Sequence, residues 1–192
     1  MSRPTIKGIA GFSMIEVLIT IVILMFGLLA LAGLQGRAVT AQMESYQRSQ
    51  ALILLKDMAD RISANRKNAA SYITASVGTG AACPAVIMGP APASGVATAT
   101  IASKDLNEWC NALLGAAEVQ GGSNIGAMIG ARGCITQVVA PATGVASQYL
   151  VAVAWQGLNS TATSTITCGQ NQYGNEGLRR LVAIPVNIAD LL

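Results

Sequence analysis

One carboxylate, Glu16, stands inside an otherwise apolar run from residue 8 to residue 34, GIAGFSMIEVLITIVILMFGLLALAGL, which follows a short leader carrying Arg3 and Lys7. A charge near the start of a membrane-length helix costs a few kcal/mol, so it marks a functional group and requires a partner. The best partner is an amine freed by cutting the chain after Gly11. Phe12 then becomes the N-terminus, and Glu16 lies four residues on, in the first helical turns, where the helix dipole favours negative charge. Glycine suits the cleavage position because a protease binds extended backbone closely and only hydrogen at Cα avoids a clash.

The segment Gly11-Phe12-Ser13-Met14-Ile15-Glu16-Val17-Leu18 resembles the class III signal of type IV prepilins and of type II secretion pseudopilins. That resemblance implies cleavage after Gly11 by the prepilin peptidase on the cytoplasmic side, N-methylation of Phe12, and a role for Glu16 in assembly. Ser13 and Met14 stand where threonine and leucine are commoner in the family, and neither change touches the glycine, the amine or the acid. An ordinary secretory signal would place its cut after the apolar core, which sets that reading at about one chance in twenty. A plain signal anchor accounts for Arg3, Lys7 and the span, with the N-terminus toward the cytoplasm, but leaves Glu16 unexplained.

The other reactive side chains exclude more than they suggest. Histidine is absent, which rules out Ser-His-Asp and Cys-His catalysis and the common histidine metal sites. Neither a metal nor a cofactor is expected. Cys83, Cys110, Cys134 and Cys168 all lie beyond the span, in what would be an oxidising periplasm, and their spacing matches no CxxC motif, so two disulfides are the expectation. Four cysteines allow three pairings. Cys134 and Cys168 both sit in strand-like segments, which favours joining them and leaves Cys83 with Cys110, though sequence alone does not choose.

The elements that must position these groups begin with the helix. Phe12 to Leu34 is 23 residues, enough to cross a hydrocarbon core of roughly 30 Å. Helical character continues from Gln35 to about Asn65 without a proline, so one helix of about 54 residues, or roughly 80 Å, is expected. Val39, Met43 and Tyr46 form one apolar stripe; Ala51, Leu55, Met58, Ala59 and Ile62 form the next, with Lys56, Asp57, Asp60 and Arg61 turned elsewhere. A simple anchor followed by a stalk helix rates about one in five on that pattern. Gly27, Gly33 and Gly36 weaken the helix and permit close approach of neighbours.

Beyond the helix, Ser76 to Gly95, with Pro84, Pro90 and Pro92, reads as irregular chain pinned by Cys83. Asp105 to Glu108 reads as an N-cap and capping pair opening a short helix with Leu106, Trp109, Cys110 and Leu113 on one face, Trp109 being a core anchor. Ala116 to Gly130 reads as loop. Strands are expected at Gly133 to Val139, Tyr149 to Trp155, Thr163 to Cys168 and Val182 to Ile188, with Pro185 marking an edge or bulge. The apolar face of that sheet needs cover, and the Leu55 to Ile62 stripe is available.

The fold class is therefore α+β: a long N-terminal helix, transmembrane then amphipathic, on a C-terminal antiparallel sheet, which is also what the pilin resemblance implies. Its divisions are a leader at 1–11, a span or filament-core helix at 12–34, an amphipathic half at 35–66 and a periplasmic head at 67–192. Net charge is +3 with 11% charged residues, and mean hydropathy is +0.50. Loss of Arg3 and Lys7 leaves a nearly neutral chain suited to packing among like subunits. Arg61, Arg66, Lys67, Arg179 and Arg180 lack interleaved aromatics, so a solvated surface outweighs nucleic-acid binding by about four to one.

GLLALAGLQ (residues 27–35) and DMADRISAN (residues 57–65) further resemble one branch of the family, the minor pilins called PilV or type IV pilus modification proteins. The resemblance implies a non-enzymatic subunit made in the bacterial inner membrane, N-terminus cytoplasmic and head periplasmic, and then carried into an extracellular pilus or its tip complex. Its partners would be prepilin peptidase, other minor and major pilins and the inner-membrane assembly platform, with no small-molecule substrate. Adhesion, twitching motility and DNA uptake are the processes such a subunit supports. The rivals are a minor pseudopilin of type II secretion and, from another class, a membrane-anchored periplasmic enzyme, for which the head offers no convergent polar site.

Overall fold

The structure is a computed structural model that describes residues 11–87, 98–116, 119–121, 123–124 and 128–189. Residues 1–10 of the leader, with Arg3 and Lys7, lie outside these, as do Pro90 and Pro92. One unbroken helix, α1 (Met14–Ala64), has no proline in its 51 residues, and Gly27, Gly33 and Gly36 meet nothing within 4 Å of where a Cβ would stand. The chain forms two compact units, Met1–Gln42 and Met43–Leu192. In the first, none of α1's side chains is buried and residues 17–34 carry no charge; by length and composition the helix can cross a membrane.

In the second unit α1 buries Gln47, Ala51, Leu55, Met58, Ala59 and Ile62, a stripe at helical spacing. A 3-10 segment (Arg66–Tyr72) leads to β1 (Thr74–Gly78), and α2 (Thr98–Leu113) follows. Then come a two-residue hairpin, β2 (Val119–Gln120) and β3 (Ser123–Asn124), and the long strands β4 (Arg132–Val139), β5 (Ser147–Gln156) and β6 (Arg179–Ile188). The sheet is antiparallel in the order β1-β4-β5-β6. Pro185 pairs opposite Leu150 on the edge strand β6, where its missing N–H costs no ladder bond.

Alternation along β5 divides the core between two faces. Tyr149, Val151, Val153 and Trp155 join the α1 stripe, Trp109 and Leu113 in one buried cluster. Ala152 and Ala154 point the other way, into a smaller cluster with Cys134, Cys168 and Tyr173. Burial of each large apolar side chain stabilises the fold by about 1.5–3 kcal/mol, so the first cluster dominates. Trp109 is 0% exposed and donates from Nε1 to the carbonyl of Leu54 at 2.9 Å, stitching α2 to α1.

Several expectations need correction. Helix α2 begins at Thr98, so Asp105 and Glu108 lie inside it; their carboxylates accept from Arg61 rather than from the helix N-terminus. Residues 163–168 form no strand, because the carbonyls of Ser164, Ile166 and Cys168 are taken by one arginine, Arg179, instead of a neighbouring strand. β1 lies partly inside the stretch expected to be irregular, and the β2–β3 hairpin inside one expected to be loop. Val39, Met43 and Tyr46 are exposed, so burial along α1 starts only at Gln47.

Candidate functional site

Gly11 and Phe12 precede α1 as exposed, non-helical chain, and Phe12 is 83% exposed. Ser13 starts the helix: its carbonyl accepts from the N–H of Glu16 at 3.0 Å and of Val17 at 3.3 Å. Glu16 is therefore in the first turn, where unsatisfied N–H groups and the helix dipole favour a carboxylate. It makes no ion pair among the described residues. An exposed apolar cylinder with one uncompensated acid at its tip can do little alone; packed among other helices, it needs a cation brought to that tip.

The head's described carboxylates are all paired internally. Arg61 contacts Asp57, Asp105 and Glu108 at 3.0, 2.8 and 2.7 Å. Burial opposes its charge, but hydrogen bonds to Glu108, Asp105 and Asp57 prevail and raise its pKa. The hydrogen bond from Arg61 holds Glu108 below the usual carboxylate range. Asp105 also accepts from the Tyr72 hydroxyl at 2.5 Å, and burial, followed by that bond, pushes Tyr72 up to about 12. Three elements, α1, the 3-10 segment and α2, meet at this cluster.

Arg179 and Arg180 are not the solvated residues expected. Arg179 is 3% exposed; Nε donates to Glu176 at 2.7 Å, while its Nη groups donate to three carbonyls of the β5–β6 connection. Glu176 is lowered mainly by the N–H of Asn171 and secondarily by Arg179. Arg180 reaches Glu44 on α1 at 3.1 Å, and the same Glu44 oxygen accepts from the backbone N–H groups of Leu158 and Asn159 at 3.1 and 3.2 Å. Glu44 was missed as a structural acid; its one sequence signal was a charge between Met43 and Tyr46.

Cys83 joins Cys110, and Cys134 joins Cys168. The first bond ties the chain after β1 to α2; the second ties β4 to the β5–β6 connection, with Cys168 in a turn rather than a strand. Among the described residues no group of three or more Asp, Glu or Cys could hold a metal ion.

The Type IV pilin Tt1218 family matches the chain over residues 33–88. Those residues run along α1 through the buried stripe, the 3-10 segment and β1 to the chain around Cys83. No curated protein and no solved structure matches the chain. The matched helix-to-sheet segment, a long apolar N-terminal helix and a head of antiparallel sheet packed on that helix's second half agree with one another: over residues 33–88 the chain is similar to the type IV pilins, and its α+β layout fits a pilin fold.

Proposed function

We propose that this protein is a minor type IV pilin, made as a prepilin, cut after Gly11, methylated at Phe12 and inserted into a pilus or its tip complex. The observation that carries this reading is Glu16, an acid without an ion pair among the described residues, in the first turn of a helix whose neighbouring side chains are apolar and exposed. In the assembled fibre the Phe12 amine offsets Glu16, on its own chain or a neighbouring one, while apolar helix packing supplies most of the cohesion. Val39, Met43 and Tyr46, exposed on α1, extend that packing surface. Prepilin peptidase and the inner-membrane assembly platform are its proposed partners before assembly, and other pilins after it. The DMADRISAN stretch favours the minor-pilin branch.

The test is mass spectrometry of sheared surface fibres, reading the mature N-terminus and fibre membership together. A peptide beginning at methylated Phe12 is expected. Met1 to Gly11 still attached in the fibre overturns the reading, and a chain processed yet confined to the periplasm assigns it to a secretion pseudopilus instead. Glu16→Ala should leave membrane insertion intact and lower fibre incorporation at least about tenfold, the effect of an unpaired buried amine worth 1.4 kcal/mol or more. Incorporation at the wild-type level refutes the pairing.

A further inference from the structure

Helix α1 stops at Ala64 while the sheet runs on. The chain turns away through Arg66–Tyr72, and the start of β5 and the end of β6 are left under the β4–β5 loop, which closes on itself through the Val145 N–H and the Ala142 carbonyl at 2.9 Å. An open cavity of about 660 Å³ remains there, reaching Ser147, Tyr149 and Ile188 on the sheet and Arg66, Lys67 and Ala69 on the 3-10 segment. All of it lies within the second compact unit, and its size falls in the range of about 300–1,000 Å³ that accepts small ligands or a few residues of peptide.

Its charge is one-sided. Among the described residues, Arg66 and Lys67 are the charged residues of the lining, and no carboxylate is among them. Neither is in an ion pair among the described residues, which in this unit is also true of Arg48 and Arg132 but not of Lys56, Arg61, Lys104, Arg179 and Arg180. Beside them the lining mixes small apolar side chains, Ala70, Pro141, Ala142 and Val145, with the hydroxyl residues Thr143 and Ser147. Tyr149 is buried to 2% exposure, so no aromatic face is open for a sugar ring or base to stack on. A carboxylate can bridge the guanidinium fork and the ammonium. An adjoining aliphatic side chain then finds the alanine floor.

We propose that this cavity is a docking site for an extended acidic peptide segment of a partner protein, with a carboxylate held by Arg66 and Lys67 and a neighbouring aliphatic side chain seated against Ala142 and Val145. This docking site stands independently of pilus assembly, and its loss would leave fibre incorporation untouched.

The test is fluorescence anisotropy with the full-length protein in detergent micelles. The probe is a fluorescein-labelled octapeptide alternating aspartate and leucine, compared with one alternating asparagine and leucine. The aspartate peptide should bind saturably, at least about tenfold tighter than the asparagine peptide, and weaken about threefold or more between 50 and 300 mM salt as screening grows. Arg66→Gln with Lys67→Gln should cost about tenfold or more, and Ala142→Trp a similar factor by filling the floor, while Lys104→Gln changes nothing. Equal binding of both peptides, or unchanged binding to the Arg66/Lys67 variant with an unaltered melting curve, overturns the proposal. Displacement of the peptide by oligogalacturonate or single-stranded DNA at lower concentration than by unlabelled peptide assigns the site to another class of partner and overturns it too.

Discussion

Gly133→Ala tests the joint on which the head is built. Gly133 on β4 lies opposite Val153 on β5 and Val77 on β1, facing the ring of Trp109. A Cβ there would fall 2.3 Å from Cη2 and 2.5 Å from Cζ3 of that ring and 2.8 Å from Cδ1 of Leu113. Carbon atoms in favourable contact sit about 3.5–4.0 Å apart, so the ring must retreat by roughly 1.2 Å or the sheet must move off α2. Neither is free to do so. Trp109 is held by its bond to Leu54, the next residue, Cys110, is tied to Cys83, and β4 is paired on both sides.

Overpacking of about 1–3 kcal/mol, with loss of one hydrogen bond of about 1 kcal/mol, predicts a loss of about 2–4 kcal/mol. At about 2–4 °C per kcal/mol for a chain of this size, the head should melt roughly 4–16 °C lower. Thermal unfolding followed by tryptophan fluorescence reads this, with Gly36→Ala, which adds a methyl in open space, as the control that should leave the head unchanged. Gly133→Ala melting within about 2 °C of wild type refutes the packing argument. So does an equal loss in a Trp109→Leu background, where the clashing ring is gone and coupling should reduce the cost to less than about 1 kcal/mol.

Replacing Cys134 and Cys168 by Ser opens a cross-link spanning 34 residues, which by chain entropy removes about 4 kcal/mol; an unchanged denaturant midpoint would refute it. Glu44→Ala strips an acceptor from Leu158, Asn159 and Arg180, so amide exchange at Leu158 and Asn159 should quicken about tenfold or more, and unaltered protection would show that α1 does not hold that loop. Glu108, lowered by its bond from Arg61, and Glu176, lowered by the Asn171 N–H, contribute stability present above the ordinary carboxylate pKa of about 4 and lost as pH falls through their folded values. Tyr72 and Tyr173, both pushed up to about 12 chiefly by burial, act in the opposite sense, contributing fully below about pH 10 and failing as pH rises toward 12. Urea midpoints should form a plateau between these limbs; a midpoint that declines steadily across neutral pH contradicts both assignments.

Local rules made much of this fold legible. The unbroken run without proline marks α1, the four-and-three spacing from Ala51 to Ile62 marks its buried face, and strict alternation from Tyr149 to Trp155 marks the central strand. Pro185 correctly marks an edge. The errors arise where a residue's partner is distant in sequence. Asp105 has the form of a helix cap, yet Arg61, 44 positions away, is its partner. Thr163 to Cys168 is rich in β-branched residues, which fit a pleated surface, but Arg179 takes the carbonyls of Ser164, Ile166 and Cys168 in place of a neighbouring strand. At the N-terminal site, sequence identifies the residue types and their offset, while the structure adds that Glu16 occupies the first turn and has no ion pair among the described residues.

That contrast bears on which groups await partners. Among the described residues of the head, each carboxylate meets a cation: Glu44 with Arg180, Asp57, Asp105 and Glu108 with Arg61, Asp60 with Lys56, and Glu176 with Arg179. The buried pair at Arg179 has a cost in desolvation that three carbonyls and one carboxylate offset only because all four are in place, so it specifies the path of the β5–β6 connection more than it adds stability. Among the described residues the charges outside any ion pair are Glu16, Arg37, Arg48, Arg66, Lys67 and Arg132. Glu16, Arg66 and Lys67 are exposed, and a lone surface charge costs little in water. The cost appears only when a neighbour excludes that water: a packed helix must then bring a cation to Glu16, and a segment closing the cavity must bring an anion to Arg66 and Lys67. The sign of each missing partner is thus set by the charge that the fold leaves unpaired there.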